Sequence, residues 1–295
     1  MYIALAGTSN SRQMDPYGVK QGRPFHTSQH TCCILGGDHR KQQAFSYINS
    51  IASIKVASYP GLSMDNWHNK KCQDGEFKGL SLRDFIGQVC QDPNFSGILA
   101  LLLLCNDEKF FKTPVSDASV AVEIYLEKLV QYLKDIKSLG AIKHIILNTA
   151  LFRQSDFKGY DRNVVYRIHK MEFNSALGKR SPGSLKLKNC IIPFTVIDMN
   201  AILPEKRMDH PMYYCKDEVY RKASFMECVH IRATYMEQYL KQVKNCYDDV
   251  TQVTPLANPC LVQLSSEKKS LRSRQRSKYV SFEDMCWRMR KIDIN

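Results

Sequence analysis

The sequence has no apolar run near the ~20 residues that span a bilayer. Its longest run, residues 98–104, has the length of a buried strand. No charged segment followed by an apolar core marks the N-terminus, so a cytoplasmic or nuclear location is expected. None of the 11 cysteines forms a C-x-x-C pair, and no His-rich cluster has zinc-ligand spacing. No metal or other cofactor is therefore expected. The cysteine count is odd, and Cys32, Cys33, Cys90 and Cys105 sit in apolar contexts. Buried, reduced thiols are the expectation rather than a disulfide framework. There is no internal repeat.

What is present suits a globular chain: 295 residues, 44% of them hydrophobic and 10% aromatic, enough for one large domain or two small ones. Charge is the unusual feature. Forty-two Lys and Arg against 29 Asp and Glu leave a net +13. Such an excess favours polyanionic partners, either nucleic acid or an anionic membrane surface. Residues 265–295 carry nine basic and four acidic side chains, net +5, so +8 remains on the rest.

Residues 1–30 read as an N-terminal extension: an apolar start with a possible short strand at residues 2–6, then a polar, Gly- and Pro-containing stretch. From residue 31 a regular alternation begins. The segments TCCILGG, IKVASYPG, GILALLLLCND, KHIILNTALF and CIIPFTVIDMN read as strands. Helical spacing marks RKQQAFSYINSIA, LSLRDFIGQVC, residues 116–140, NVVYRIHKMEFNSAL and HIRATYMEQYLKQVKNC. Ser116 or Asp117 is positioned to cap the third of these, and Gly140 marks its far boundary. Continuously apolar strands alternating with helices predict a three-layer α/β/α sandwich with a central parallel sheet. It is placed at residues 31–250, with residues 251–295 as a basic tail.

In such a sheet, ligands bind beyond the carboxyl ends of the strands, and the residues there resemble the SGNH (GDSL-type) hydrolases. Tyr59-Pro60-Gly61-Leu62-Ser63 resembles the glycine block after the second strand. Leu104-Cys105-Asn106-Asp107 resembles the Gly-x-Asn-Asp block, with Leu104 in place of Gly. Glu227-Cys228-Val229-His230 resembles the terminal Asp-x-x-His, with Glu227 in place of Asp. Asn174 fills a family-like polar position late in the helix before the fifth strand. The resemblance spans residues 31–245. It implies a serine nucleophile, His230 as its base, Glu227 orienting that base, and the Gly61 N–H and Asn106 amide as oxyanion donors.

The first block, Gly-Asp-Ser in the family, has two readings. Gly36-Gly37-Asp38-His39 lies at the expected distance before Pro60-Gly61, and puts His39 where the nucleophile belongs. Gly7-Thr8-Ser9 supplies a serine, but needs an insertion of about thirty residues inside a connection that usually holds one helix. The first register is favoured. It predicts a catalytically degenerate domain with His39, Gly61, Asn106, Glu227 and His230 as a relict site. The second leaves an active ester hydrolase using Ser9, Glu227 and His230.

Binding of RNA or another polyanion is the expected function of the degenerate form. Arg40, Lys41, Lys109, Lys112, Arg153, Lys158 and Arg232 flank the strand-end blocks, and Arg272, Arg274 and Arg276 lie in the tail. The RNA-binding SGNH-like domain of Oskar is a precedent in architecture, charge and missing serine. A protein-interaction scaffold is the third reading, and nothing in the sequence addresses the oligomeric state.

Overall fold

The computed structural model describes residues 1–8, 11, 53–73, 75–104, 110–111, 117–151, 161–199, 201 and 233–253. They belong to a compact unit, Met1–Pro255; a second unit, Leu256–Asn295, lies outside the described residues. The strands are β1 Tyr2–Gly7, β2 Ser53–Ser58, β3 Phe95–Leu102, β4 His144–Asn148, β5 Gly183–Lys186 and β6 Ile191–Ile197. The helices are α1 Leu82–Gln91, α2 Ala118–Leu133, α3 Asp161–Lys179 and α4 Ala233–Val253, with a 3-10 turn at Leu139–Ala141.

The six strands form one sheet in the order β2-β1-β3-β4-β6-β5. All neighbours are parallel except β5, which pairs antiparallel with β6 at the edge. The expected α/β sandwich is thus present, its parallel sheet extended by one short antiparallel strand. β1 shows why these strands are apolar throughout. Tyr2, Ala4 and Ala6 enter one core, and Ile3 and Leu5 enter the other. The two-residue period of a strand sends alternate side chains to opposite faces, and both faces are covered. The first core packs against α1, α2 and α3 through Phe85, Leu129 and Phe173. The second packs against α4 through Tyr239, Leu240 and Val243.

Local signals set the helix starts. Ser81 and Asp84 make a capping box on α1: the Asp84 N–H donates to Ser81 Oγ at 3.1 Å, and the Ser81 N–H donates to Asp84 Oδ2 at 3.3 Å. The bond from the Ser81 hydroxyl pulls the Asp84 carboxyl below its ordinary range. Of the two candidate caps for α2, Asp117 acts, accepting from the Ser119 N–H at 2.7 Å. No described helix is long and apolar enough to cross a membrane.

One boundary is corrected. Residues 2–7 are not part of an extension, because β1 is an interior strand hydrogen-bonded to β2 on one edge and β3 on the other. The strand expected at residues 31–37 and the helix expected after it lie outside the described residues.

Candidate functional site at the carboxyl ends of the strands

β1 and β3 are neighbours, yet the chain leaves β1 for β2 on one side and leaves β3 for β4 on the other. This reversal is a topological switch point, where a parallel sheet opens a crevice at its carboxyl ends. One strand lies between β2 and β3 in the sheet. That place is filled by Tyr2–Gly7, with both of its edges paired. The strand ends on Gly7, and Thr8 and Ser9 follow it in the sequence.

The turn after β1 is tightly built. Thr8 and Ser11 are fully buried. The Thr8 N–H donates to Leu102 O at 3.0 Å, tying the strand end to β3. The Thr8 carbonyl accepts the Ser11 N–H at 2.9 Å, the Ser11 hydroxyl at 2.8 Å and the Ser58 hydroxyl at 3.3 Å. Tyr59 N–H donates to Gly7 O at 2.8 Å, so β2 holds the same turn from its other side. Gly7 has to be a glycine here: a Cβ would lie 2.8 Å from Leu102 Cβ, 2.9 Å from Leu102 O and 3.1 Å from Ser11 Cβ. The Thr8 hydroxyl is buried and has no hydrogen-bond partner among the described residues.

At the end of β2, Gly61 is exposed and takes φ +69°, a left-handed conformation that a side chain would strain. The Lys70 ammonium lies 3.3 Å from where its Cβ would be. Asn66 donates to Gly61 O at 3.0 Å and accepts the Ser63 N–H at 2.8 Å, which shapes the turn. Tyr59 is buried beneath, its hydroxyl donating to Ser81 O at 3.2 Å, and burial raises its pKa.

Between β3 and β4 the strand ends are joined by side-chain amides. Asn148, fully buried, accepts the Leu103 N–H at 3.0 Å and donates to Thr149 O at 2.8 Å. Asn174 on α3 grips the Ala150 backbone twice, accepting its N–H at 2.7 Å and donating to its carbonyl at 2.9 Å. The Lys170 ammonium, also buried, donates to Leu151 O at 3.1 Å. At the end of β6, Asp198 accepts the Thr149 hydroxyl at 3.1 Å.

Of the expected site residues, Gly61 and Asn174 are among the described ones: Gly61 lies in the turn after β2 and Asn174 on α3. Ser9, His39, Asn106, Glu227 and His230 lie outside the described residues. So do Arg40, Lys41, Lys109, Lys112, Arg153, Lys158, Arg232, Arg272, Arg274 and Arg276. Ser11, Ser58, Asn148 and Asp198 belong to none of the sequence blocks, yet they hold the strand ends. Of these only Asn148, a lone amide closing an apolar strand, carried a visible signal.

Two other features lie away from the strand ends. A groove of about 1020 Å³ runs along α2 and β5, lined by Met64, Trp67, Glu127, Arg180 and Lys186 among others. Arg180 pairs with Glu123 across it at 2.6 Å. Burial pushes the Cys90 and Cys246 thiols up to about 11, which keeps them protonated and poorly reactive. Among the described residues no three His, Cys, Asp or Glu side chains are grouped to hold a metal ion.

No family model matches the chain, and no curated protein matches it. A solved structure described as salicylyl-acyltransferase SsfX3 from a tetracycline biosynthetic pathway is similar, with a TM-score of 0.40 and 12% identity. The similarity covers 87% of this chain and 57% of that one, so the chain spans little more than half of that protein's length.

Proposed function

We propose that this chain is an ester hydrolase of SGNH type with Ser9 as its nucleophile. The observation that supports this reading is the position of Tyr2–Gly7 between β2 and β3, which makes Gly7-Thr8-Ser9 the strand-end block at the switch point. In this reading His230 takes the Ser9 proton as the hydroxyl attacks the ester carbon. Glu227 holds the imidazole and balances its charge. The Ser9 and Gly61 backbone N–H groups and the Asn106 amide receive the oxyanion, which is where most of the barrier lowering arises. The alcohol leaves with the proton from His230, and water then releases the acyl group by the same route. His39 has no part in it.

The test is hydrolysis of p-nitrophenyl acetate by the full chain. Turnover is expected to vanish in Ser9→Ala and in His230→Ala, and to persist in His39→Ala. Activity that survives Ser9→Ala, or no turnover by the native chain, sinks the reading.

A second reading, binding of RNA or another polyanion, is favoured by charge. Between residues 173 and 197 the chain has no Asp or Glu. Lys179, Arg180, Lys186 and Lys188 are all exposed there, at the end of α3 and on the β5–β6 hairpin. Nucleic-acid affinity that falls steeply with salt, and that weakens when Lys179, Lys186 and Lys188 become Glu, is the expected result. Salt-independent binding, or none at low salt, would remove this reading and leave the first untouched.

A further inference from the structure

We infer that the outer edge of β5 is a docking site for an extended peptide of a partner protein, one that alternates apolar and acidic residues and pairs antiparallel with β5. The inference rests on neither the hydrolase nor the polyanion reading. β5 ends the sheet and pairs antiparallel with β6, Lys186 opposite Ile191 and Ser184 opposite Pro193. The turn between the two strands sets the phase of the ladder. The Leu187 N–H donates to Cys190 O at 2.9 Å, so these two residues form a hydrogen-bonded pair. Such pairs alternate along an antiparallel ladder. Leu185 and Gly183 therefore bond to β6, and the N–H and C=O groups of Ser184 and Lys186 face away from it. Pro193, which has no N–H to give, suits that phase because it lies opposite Ser184. Among the described residues nothing bonds to the outward groups of Ser184 and Lys186. An edge of this kind is a template for a further strand.

The surroundings choose the peptide. The groove along α2 and β5 has Ser184, Leu185 and Lys186 on its β5 side, and Met64, Leu126 and Val130 supply apolar lining. Leu185 is buried in the core that α2 covers. Side chains alternate along a strand, so Ser184 and Lys186 lie on the other face, and both are exposed. A strand added outside β5 continues both faces. Every second residue enters the groove, where apolar side chains are wanted. Glu123 and Glu127 on α2 keep acids out of it. The residues between stand beside Lys186, and the one directly opposite bonds to its backbone and shares its face. Charge decides what that residue is. Between residues 173 and 197 there are four Lys and Arg near β5 and no acid. Arg180 is held by Glu123 at 2.6 Å, but Lys186 has no ion-pair partner among the described residues. Opposite charges directly across a strand pair are stabilising and like charges are not. A glutamate therefore suits the position. A second copy of this edge does not, because it brings the same basic segment with it, and an edge lysine opposes such self-pairing.

The experiment titrates a fluorescent octapeptide of alternating valine and glutamate with the full-length chain and reads anisotropy. Saturable binding is expected. In the antiparallel pairing the glutamate N–H groups meet β5 and the valine N–H groups face away from it. N-methylation of the glutamates is therefore expected to weaken binding by about tenfold or more, since each hydrogen bond lost is worth a few-fold to about tenfold. N-methylation of the valines is expected to leave it nearly unchanged. Lys186→Glu is expected to weaken the glutamate peptide about tenfold and to favour an octapeptide of alternating valine and lysine in its place. Thermal unfolding checks that variant. Should it not fold, the two methylated peptides decide the matter on the native chain. Equal effects of methylation at the two positions, including none at either, overturn the docking edge and leave charge attraction alone. Displacement of the peptide by single-stranded poly(U), together with indifference to methylation, assigns the surface to nucleic acid instead. No binding of the valine–glutamate peptide to the native chain also overturns the inference.

Discussion

At the amino ends of the strands, polar side chains are mostly charged and reach toward solvent. Lys55 on β2 lies 3.1 Å from Glu76 and 3.4 Å from Asp92, with its ammonium 4.6 Å from the centre of the Tyr2 ring. Among the described residues at the carboxyl ends, the polar side chains are mainly neutral, buried and bonded to backbone: Ser11, Ser58, Asn148 and Asn174. Two exceptions lie at the amino end: Ser96 is buried and accepts the Ile98 N–H at 3.3 Å, and His144 is buried against Thr195 at 2.9 Å, where burial lowers its pKa and favours the neutral ring. The two ends differ in what each loss leaves behind. Water replaces a lost partner in an exposed ion pair, so such pairs contribute little. Nothing replaces a buried amide, and the backbone groups it held are stranded. The carboxyl ends are therefore held by contacts that resist exchange with solvent, as a preorganised site requires.

The largest effect is expected at Asn174. Asn174→Leu removes both partners of the buried Ala150 backbone, and each stranded group costs ~1–3 kcal/mol. A loss of about 3 kcal/mol in unfolding free energy is the expected total, read from the urea midpoint at constant m-value. A loss below about 1 kcal/mol, within the range of an exposed pair, would mean that water reaches Ala150 and that the two ends do not differ in the way argued.

Thr8→Val tests the comparison from the opposite side, since the Thr8 hydroxyl is buried at the carboxyl end and has no hydrogen-bond partner among the described residues. Valine keeps the shape and removes the unmet donor. Stability is expected to rise by about 1 kcal/mol, the lower end of the cost of an unsatisfied buried group. A fall in stability would show that this hydroxyl is bonded in solution, and that the carboxyl end is saturated throughout.

The sequence revealed the sheet more readily than the site. Residues 98–104 and 145–147 announce strands because burial on both faces removes every polar residue from them. β5 carried no such signal: it has four residues and only Leu185 is buried. β1 was visible as a strand but misplaced, because the polar stretch after it reads as an extension and residues 31–37 look like a better first strand. Its true position depends on pairing with residues 53–58 and 95–102, and local pattern does not encode partners. The bond from Ser58 to the Thr8 carbonyl was invisible for the same reason. Ser58 meets the Thr8 carbonyl across 50 residues of chain, and nothing in either neighbourhood distinguishes it from a solvated serine.

The smallest effect belongs to the amino end. Lys55→Met keeps the aliphatic stem over Tyr2 and removes the charge from a side chain that is 31% exposed. Both carboxylates keep access to water, Glu76 at 52% and Asp92 at 25% exposure. The shift in Tm at neutral pH should stay under about 1 °C, since an exposed pair is worth a fraction of a kcal/mol and a chain of this size moves only a few degrees per kcal/mol. High salt should shrink it further. The direction of any pH dependence also follows. The Asp92 carboxyl is held below its ordinary range, first by the Asn94 N–H at 2.9 Å and then by Tyr2 and Lys55. A carboxylate with a lowered folded pKa adds stability above its unfolded pKa, and that stability is lost as pH falls through the folded value. Because the Asn94 bond comes first and survives the substitution, Lys55→Met should leave most of this acid-range loss in place. If the acid-range loss disappears with Lys55, the ion pair rather than the backbone holds Asp92. The amino end would then be organised by charge more firmly than its exposure suggests.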